Sequence, residues 1–294
     1  MIGFIEYYYN FSNIESSKDA EGYHFYYNNE SYTFTELTRG ENEIIEIIDL
    51  TYDNPIVNKI IKNRYSKYIT RIYNANYILV KNNGVFAINT LDYFKIIKKG
   101  EIQSLLLDKS NWVELWSKKI DIIEYQTSQV CKKYKTMKNI CNYYIGMAET
   151  GLVYVRRTLD EMKHDYNKKV ISHIRITDDN ICDPQSIIID YESRDIAEYL
   201  KYVYFNKNND CMKLAKLILQ NVYLDEFSLR LIYGRLFFPT FYFDIYDKIN
   251  DYTAEELDKK IEKITRKTEG YENYINYVYS LIISQKKIPK ISWI

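Results

Sequence analysis

The chain has 294 residues, of which 46% are hydrophobic and 27% charged, which excludes a disordered chain and leaves enough length to bury a real core. Lys plus Arg and Asp plus Glu number 40 each, so the formal net charge is zero. No basic excess points to nucleic acid or to an anionic membrane surface. Met1-Ile-Gly-Phe-Ile-Glu-Tyr7 lacks a basic start and meets Glu6 too early for a signal-peptide core. No run approaches the roughly 18 apolar residues that span a bilayer.

Residues 1–100 read as a small β-rich lobe. Tyr23-His-Phe-Tyr-Tyr27 and Tyr32-Thr-Phe-Thr-Glu-Leu37 are aromatic and β-branched, and Asn28-Asn-Glu-Ser31 between them supplies turn chemistry, so a hairpin is expected. Glu41 to Leu50 carries apolar pairs at Ile44/Ile45 and Ile47/Ile48, which predict a short helix with one apolar face. Tyr68 to Tyr73 and Tyr77 to Lys81 flank Asn74-Ala-Asn76 as a second strand pair. Asn82-Asn-Gly84 then turns into a strand over Val85 to Ile88. The connection to the next lobe is placed near residues 89–111.

Residues 101–294 read as a larger, mostly helical lobe. Trp112, Leu115, Trp116, Ile123 and Val130 recur near helical spacing, and Ile140 to Leu159 continues with Tyr144, Met147, Ala148 and Leu152. Val170 to Ile176 and Ser186 to Asp190 break that pattern as two short buried strands around a polar loop. Ile196, Leu200 and Val203 restart a helix, and Met212 to Val222 and Phe227 to Phe238 are further helical runs, the second ended or kinked by Pro239. Thr253-Ala-Glu-Glu256 is a capping box that opens a helix with Leu257, Ile261 and Ile264 inward. Glu255/Lys259 and Glu256/Lys260 support it as i,i+4 pairs. Tyr271, Tyr274, Ile275, Val278 and Ile282 form a last amphipathic helix.

Some residues read as structure rather than chemistry. Cys131, Cys141, Cys182 and Cys211 are scattered, with no metal-ligand spacing, so they read as buried thiols and no metal site is expected. Trp112 and Trp116 read as core, His24 and His164 as structural or exposed, and Lys132-Lys133 and Arg156-Arg157 as solvated helix faces. The 32 tyrosines fit a drift that also enriches Ile, Asn and Lys. Oxidative cross-linking in a durable assembly is the functional alternative. Tyrosine replaces Leu or Phe at half-buried positions because its ring is apolar.

A β-rich lobe before a helical lobe is the layout of the kinase fold. There the chemistry needs His-x-Asp, an Asn five residues after that Asp, and a later Asp after an apolar strand. The first Asp takes the hydroxyl proton, and the Asn and last Asp hold magnesium on the nucleotide phosphates. Here His173-Ile-Arg175 stands at the His-x-Asp place, Asn180 lies at the asparagine spacing, and Asp190 ends Ile187-Ile-Ile-Asp190. The position of the proton acceptor is therefore an arginine, and a guanidinium accepts no proton at neutral pH. No Gly-x-Gly-x-x-Gly run exists, and Tyr32 to Leu37 carries no lysine to pair with Glu43 or Glu46. Lys81, on a later strand, reads as a surface residue.

Ile171-Ser-His-Ile-Arg-Ile176, Tyr191-Glu-Ser-Arg-Asp-Ile-Ala-Glu-Tyr-Leu200, Leu231-Ile-Tyr-Gly-Arg-Leu-Phe-Phe-Pro239 and Tyr242-Phe-Asp244 together resemble the YutH-type spore-coat proteins of endospore-forming bacteria. That family is a branch of the aminoglycoside and choline kinase-like superfamily, with CotS-type relatives. The resemblance covers about residues 140–250. It implies an α+β, protein-kinase-like two-lobe fold and a role in spore coat formation, with the protein made in the cytoplasm and deposited in the coat. In the kinase fold an Asp near the helix after the metal loop accepts backbone N–H bonds of the catalytic loop, and Asp195 stands there as a structural brace. Arg235 and Asp244 are candidates to pair with Asp195 or with each other. The expected function is non-catalytic, with other coat proteins as partners and no cofactor. The alternative is a divergent phosphotransferase using ATP and magnesium, with Asp178 or Asp179 as substitute base. A third possibility is a phospho-ligand module in which Arg175 holds the phosphate.

Overall fold

Asn28 and Asn29 both adopt positive φ, 49° and 62°, the conformation that a tight two-residue hairpin turn demands and that asparagine tolerates. They join β2 (Tyr23–Tyr27) to β3 (Glu30–Glu36), with Tyr27 opposite Glu30. A second tight turn at Tyr73, φ 54°, joins β5 (Ile69–Ile72) to β6 (Ala75–Asn82), with Ile72 opposite Ala75. With β1 (Ser16–Lys18) and β4 (Lys59–Ile61), these strands form one antiparallel sheet in the order β1-β2-β3-β6-β4, and β5 also pairs with β6. The computed structural model describes residues 1–83, 90–96, 102–133, 137–162, 169–207 and 210–292. Gly84, the strand expected over Val85–Ile88, His164 and the side chains of Val130, Cys131, Lys132 and Lys133 lie outside the described residues.

The chain divides into two compact units. The first holds residues 1–93, 105–107 and 176–188, and the second holds 94–104, 108–175 and 189–294. In the first, α1 (Ile2–Tyr9) packs Ile5 and Tyr9 against Phe25, Tyr32, Phe34, Ile72 and Leu79 of the sheet. This helix has no counterpart among the elements expected from periodicity, although Ile5 and Tyr9 stand at i,i+4. In α2 (Glu41–Leu50), Ile44 and Ile47 are fully buried while Ile45 is 46% exposed. Its buried face is therefore narrower than the paired isoleucines imply.

The second unit carries α4 (Trp112–Lys133), α5 (Met137–Glu161), β7 (Lys169–His173), α6 (Ser193–Asn206), α7 (Cys211–Asn221), α8 (Glu226–Leu236), α9 (Thr240–Asp247) and α10 (Ala254–Ile283). The short helix α3 (Thr90–Ile96) precedes them. Strand β8 (Ile187–Tyr191) pairs with β7 in a two-stranded sheet. The two helices expected after residue 253 are one helix of 30 residues, opened by the Thr253–Glu256 capping box. Gly270 does not break it. A Cβ there would stand 2.6 Å from the Tyr204 hydroxyl, which donates to the Lys267 carbonyl at 2.7 Å. The glycine makes room for a side chain rather than ending a turn.

Tyrosine supplies much of the core. Tyr271 donates its hydroxyl to the Leu236 carbonyl at 2.7 Å, Tyr274 to that of Leu200 at 3.0 Å, and Tyr154 to that of Pro289 at 3.0 Å. Each buried ring thus carries its polar atom to a backbone acceptor. Burial pushes the phenols of Tyr9, Tyr144 and Tyr233 up to about 12. An unfolded tyrosine ionises near pH 10. The stability these groups contribute is therefore complete below about pH 10 and is lost as pH rises toward 12. Spectrophotometric tyrosinate titration is expected to show a cooperative step coincident with loss of helical circular dichroism. A smooth titration with the helices intact would contradict it.

Helices α5 and α8 cross at two glycines. A Cβ on Gly151 would lie 2.9 Å from the Gly234 carbonyl oxygen, and one on Gly234 would lie 2.7 Å from Val155 Cγ2. Overpacking of this kind costs about 1–3 kcal/mol, so Gly234→Ala is expected to lower the melting temperature by roughly 2–12 °C. Gly146→Ala, on the same α5 but with nothing within 4 Å, is expected to raise it slightly, since alanine favours a helix interior by about 1 kcal/mol. Thermal denaturation of the two variants separates close packing from helix propensity.

Candidate functional site

The continuous apolar run of β8 delivers Asp190 to the interior, where it is 0% exposed. Both carboxylate oxygens accept from Trp112 Nε1–H at 2.9 Å. Arg194 Nη1 donates to Oδ2 at 2.5 Å, and the Tyr191 backbone N–H to Oδ1 at 2.7 Å. Burial pushes the Asp190 carboxyl up, opposed by the cations of Arg194 and Arg235.

The first turn of α6 holds the end of β7 by its backbone. Asp195 Oδ1 accepts the His173 N–H at 2.8 Å, and Oδ2 meets His173 Nδ1 at 2.7 Å. An ionised carboxylate only accepts, so this contact places the ring hydrogen on Nδ1. Next to it, Arg194 donates from Nε to the His173 carbonyl at 3.0 Å and from Nη2 to the Ile174 carbonyl at 3.1 Å. Two adjacent residues therefore grip the donor and acceptor groups of the same stretch of chain.

Arg175 faces two carboxylates. It makes a bidentate contact with Asp244, Nε to Oδ2 at 3.2 Å and Nη2 to Oδ1 at 3.1 Å, and its Nε lies 3.7 Å from Glu198 Oε2. Glu198 is buried on α6 and accepts from Arg235 Nε at 2.7 Å, Lys201 Nζ at 2.9 Å and Thr240 Oγ1 at 3.1 Å. Burial alone would raise Glu198, yet Lys201, Arg235 and Arg175 hold its carboxyl well below the usual range. Burial pushes the Lys201 ammonium down to about 7, with Glu198 opposing and Arg235 reinforcing the shift. Lys201 also donates to the Phe238 carbonyl at 2.9 Å. The Arg235 guanidinium lies 4.4 Å from the Trp112 ring centroid and 5.5 Å from that of Trp116. The indoles are core, as expected, and they also form the face on which a buried cation rests. Arg235 and Asp244 pair neither with Asp195 nor with each other; their partners are Glu198 and Arg175.

Asn180 belongs to the first unit. Its Oδ1 accepts the Thr177 N–H at 2.8 Å, which makes it a turn residue. Asp178 and Asp179 are both exposed, and Asp178 accepts from Thr90 Oγ1 at 2.9 Å. Also in the first unit, Glu43 on α2 does have a cationic partner, Arg39, at 3.2 Å. The same guanidinium donates to the Ile187 and Gln185 carbonyls. Lys81 pairs with Glu30, and His24 contacts Asp19 at 2.9 Å and Thr33 at 3.1 Å. Cys141 and Cys211 are buried, whereas Cys182 is only half-buried.

Magnesium on a nucleotide would need outward carboxylate lone pairs. Asp190 is sealed and its oxygens accept from three N–H groups, Asn180 is engaged in a turn, and the remaining loop position is the cation Arg175. These residues do not fit the ion. Among the described residues no group of three or more His, Cys, Asp or Glu is arranged to hold a metal.

An antiparallel sheet in the N-terminal unit and a helical second unit, with the β7–β8 loops before α6, define an aminoglycoside-phosphotransferase-like kinase fold. The chain is similar to the aminoglycoside phosphotransferase of Alicyclobacillus acidocaldarius subsp. acidocaldarius DSM 446, with a TM-score of 0.69 and 10% identity over 94% of each chain. It is also similar to spectinomycin phosphotransferase solved with ADP and spectinomycin, with a TM-score of 0.57 and 12% identity over 95% of this chain and 97% of that one. The family model described as "Spore coat putative kinase YutH" matches residues 3–278, and the chain belongs to that family. The endospore coat-associated protein YutH of Bacillus subtilis (strain 168) is 28% identical over 209 residues, a match that spans 62% of this chain and 61% of the relative's length.

Removing the carboxylate of Asp195 takes away the acceptor that two buried donors of His173 share. Asp195→Ala is expected to cost about 3–5 kcal/mol and to lower the melting temperature by roughly 6–20 °C. Asp244→Ala removes the exposed partner of Arg175 and is expected to cost less than about 1 kcal/mol. Circular-dichroism melts at neutral pH measure both, and equal losses would contradict the assigned roles.

Proposed function

We propose that this chain serves in bacterial spore coat formation as a non-catalytic, kinase-like protein that acts by binding other coat proteins. The observation that carries the proposal is the state of Asp190. Its carboxylate is fully buried and bonded to Trp112, Arg194 and the Tyr191 N–H. Arg175 adds to it, since a guanidinium cannot take a hydroxyl proton and is held by Asp244 and Glu198. His173, Arg175, Asn180, Asp190 and Asp195 then act as bracing residues in loops of kinase type. Membership of the spore coat family and the coat association of the Bacillus subtilis relative support the setting. On this proposal the protein is made in the cytoplasm and deposited in the coat. No helix among the described residues is long and apolar enough to cross a membrane.

The experiment is a thermal-shift titration of the purified chain with ATP and magnesium. No change in melting temperature is expected. A ligand at a hundred times its Kd adds about 2.7 kcal/mol to stability, roughly 5–11 °C for a protein of this size. A magnesium-dependent rise of that order would overturn the non-catalytic assignment in favour of a divergent phosphotransferase. A rise with ATP that needs no magnesium would point to a phospho-ligand site and would overturn the reading that the chain acts through protein partners alone.

A further inference from the structure

Two exposed phenols meet on the first unit. Tyr7 on α1 and Tyr65 in the turn before β5 share a hydrogen bond between their hydroxyls at 2.8 Å. They are nonetheless 52% and 55% exposed. Arg64 organises the pair. Its guanidinium lies 4.8 Å from the Tyr7 ring centroid and 5.8 Å from that of Tyr65. Its Nη1 donates to the Tyr7 carbonyl at 3.3 Å, and its backbone N–H to the Tyr8 carbonyl at 2.7 Å. The Tyr8 ring stands edge-on to both, with centroids 5.1 Å and 6.1 Å away.

We propose that Tyr7 and Tyr65 are a site of oxidative modification, at which a peroxide-driven one-electron oxidant joins the two rings as an intramolecular dityrosine. Each phenol loses one hydrogen atom, electron and proton together, to the oxidant. The two tyrosyl radicals form a carbon–carbon bond between their Cε atoms, ortho to the hydroxyls. The hydrogens displaced from those carbons return to the phenolic oxygens. One hydrogen peroxide is reduced to two waters for each cross-link, so atoms and electrons balance.

Geometry favours this pair in two ways. Radical coupling is bimolecular unless the partners are already together, and a fixed neighbour removes that entropic barrier. Exposure supplies access for the oxidant and room for two rings to turn from hydroxyl contact into ring contact. The shared hydrogen bond with Tyr7 also pushes the Tyr65 phenol up, which favours loss of a hydrogen atom from Tyr65 over loss of an electron alone. The product closes a loop across a sequence separation of 58, tying α1 to the turn between β4 and β5. Such a link narrows the unfolded ensemble as other covalent cross-links do.

The test treats the dilute full chain with a haem peroxidase and hydrogen peroxide, then maps peptides by mass spectrometry. The expected result is dityrosine fluorescence in the monomer band and a joined peptide pair carrying Tyr7 and Tyr65, two hydrogen masses below the sum of its parts. Its yield per molecule should not change on dilution. Tyr7→Phe and Tyr65→Phe should each abolish that product and keep the circular dichroism of the parent. The wild-type peptide map decides the matter even if a variant fails to fold. Cross-links found only between molecules, or a Tyr7–Tyr65 product no more abundant than pairs drawn from Tyr26, Tyr52 or Tyr73, would overturn the proposal. So would an unchanged monomer product in either folded phenylalanine variant.

Discussion

The grip of Arg194 and Asp195 on the backbone of His173 and Ile174 is the contact on which the second unit depends. It fixes the end of β7 against the start of α6, and so sets where each neighbouring side chain must lie. It is also a costly arrangement. Two ionised groups are taken out of water, and isolated they would lose several kcal/mol each. The surroundings remove that cost by pairing. Arg194 spends its remaining nitrogen on Asp190, and Asp195 spends its second oxygen on the His173 ring. A group paired this completely holds its position well and has little left to offer a ligand.

The buried charges around α6 extend the same logic. Lys201 and Arg235 both reach Glu198, and the Arg235 guanidinium lies over the indole of Trp112. Trp112 in turn donates to Asp190, so the Asp190 and Glu198 centres share a side chain. This linkage explains why Asp190 is sealed. The tryptophan that supports one buried cation also occupies the carboxylate that a kinase would present to magnesium.

Much of the fold was legible in local sequence because local chemistry decides it. Asn28-Asn29 specifies a tight turn, and Thr253 with Glu256 specifies a helix start. The misses have physical causes. The stripes Leu257 to Ile264 and Tyr271 to Ile282 read as two helices, but α10 runs through Gly270, whose missing Cβ leaves room for Tyr204. Asp195 was visible from its place after the second strand. Glu198 and Lys201 were not, because Ile196, Leu200 and Val203 suggest one buried stripe, whereas Ser193 to Lys201 is buried on every face. Periodicity identifies an apolar face and cannot reveal that the opposite face is also covered. A possible signal was pairing: Asp190/Arg194 and Glu198/Lys201 stand at i,i+4 and i,i+3. The tyrosine excess was likewise visible as composition, but its use required the acceptors, such as the Leu236 and Leu200 carbonyls.

Arg175 looks like an isolated loss when only the loop is considered. In three dimensions it stands between Asp244 and Glu198, 3.1 Å and 3.7 Å away. An aspartate at that position would face one carboxylate at the surface and another in the interior. Nearby like charges raise carboxyl pKa values and favour the neutral acid. A protonated carboxyl is a poor base, so an aspartate there would gain no basicity from its surroundings. The arginine is the charge that Asp244 and Glu198 call for. Nor would a new carboxylate at 175 release Asp190, which is held by Trp112 and Arg194. On the proposed non-catalytic reading, the departure from a phosphotransferase is distributed over at least six side chains that satisfy one another, and no single substitution separates this site from a catalytic one.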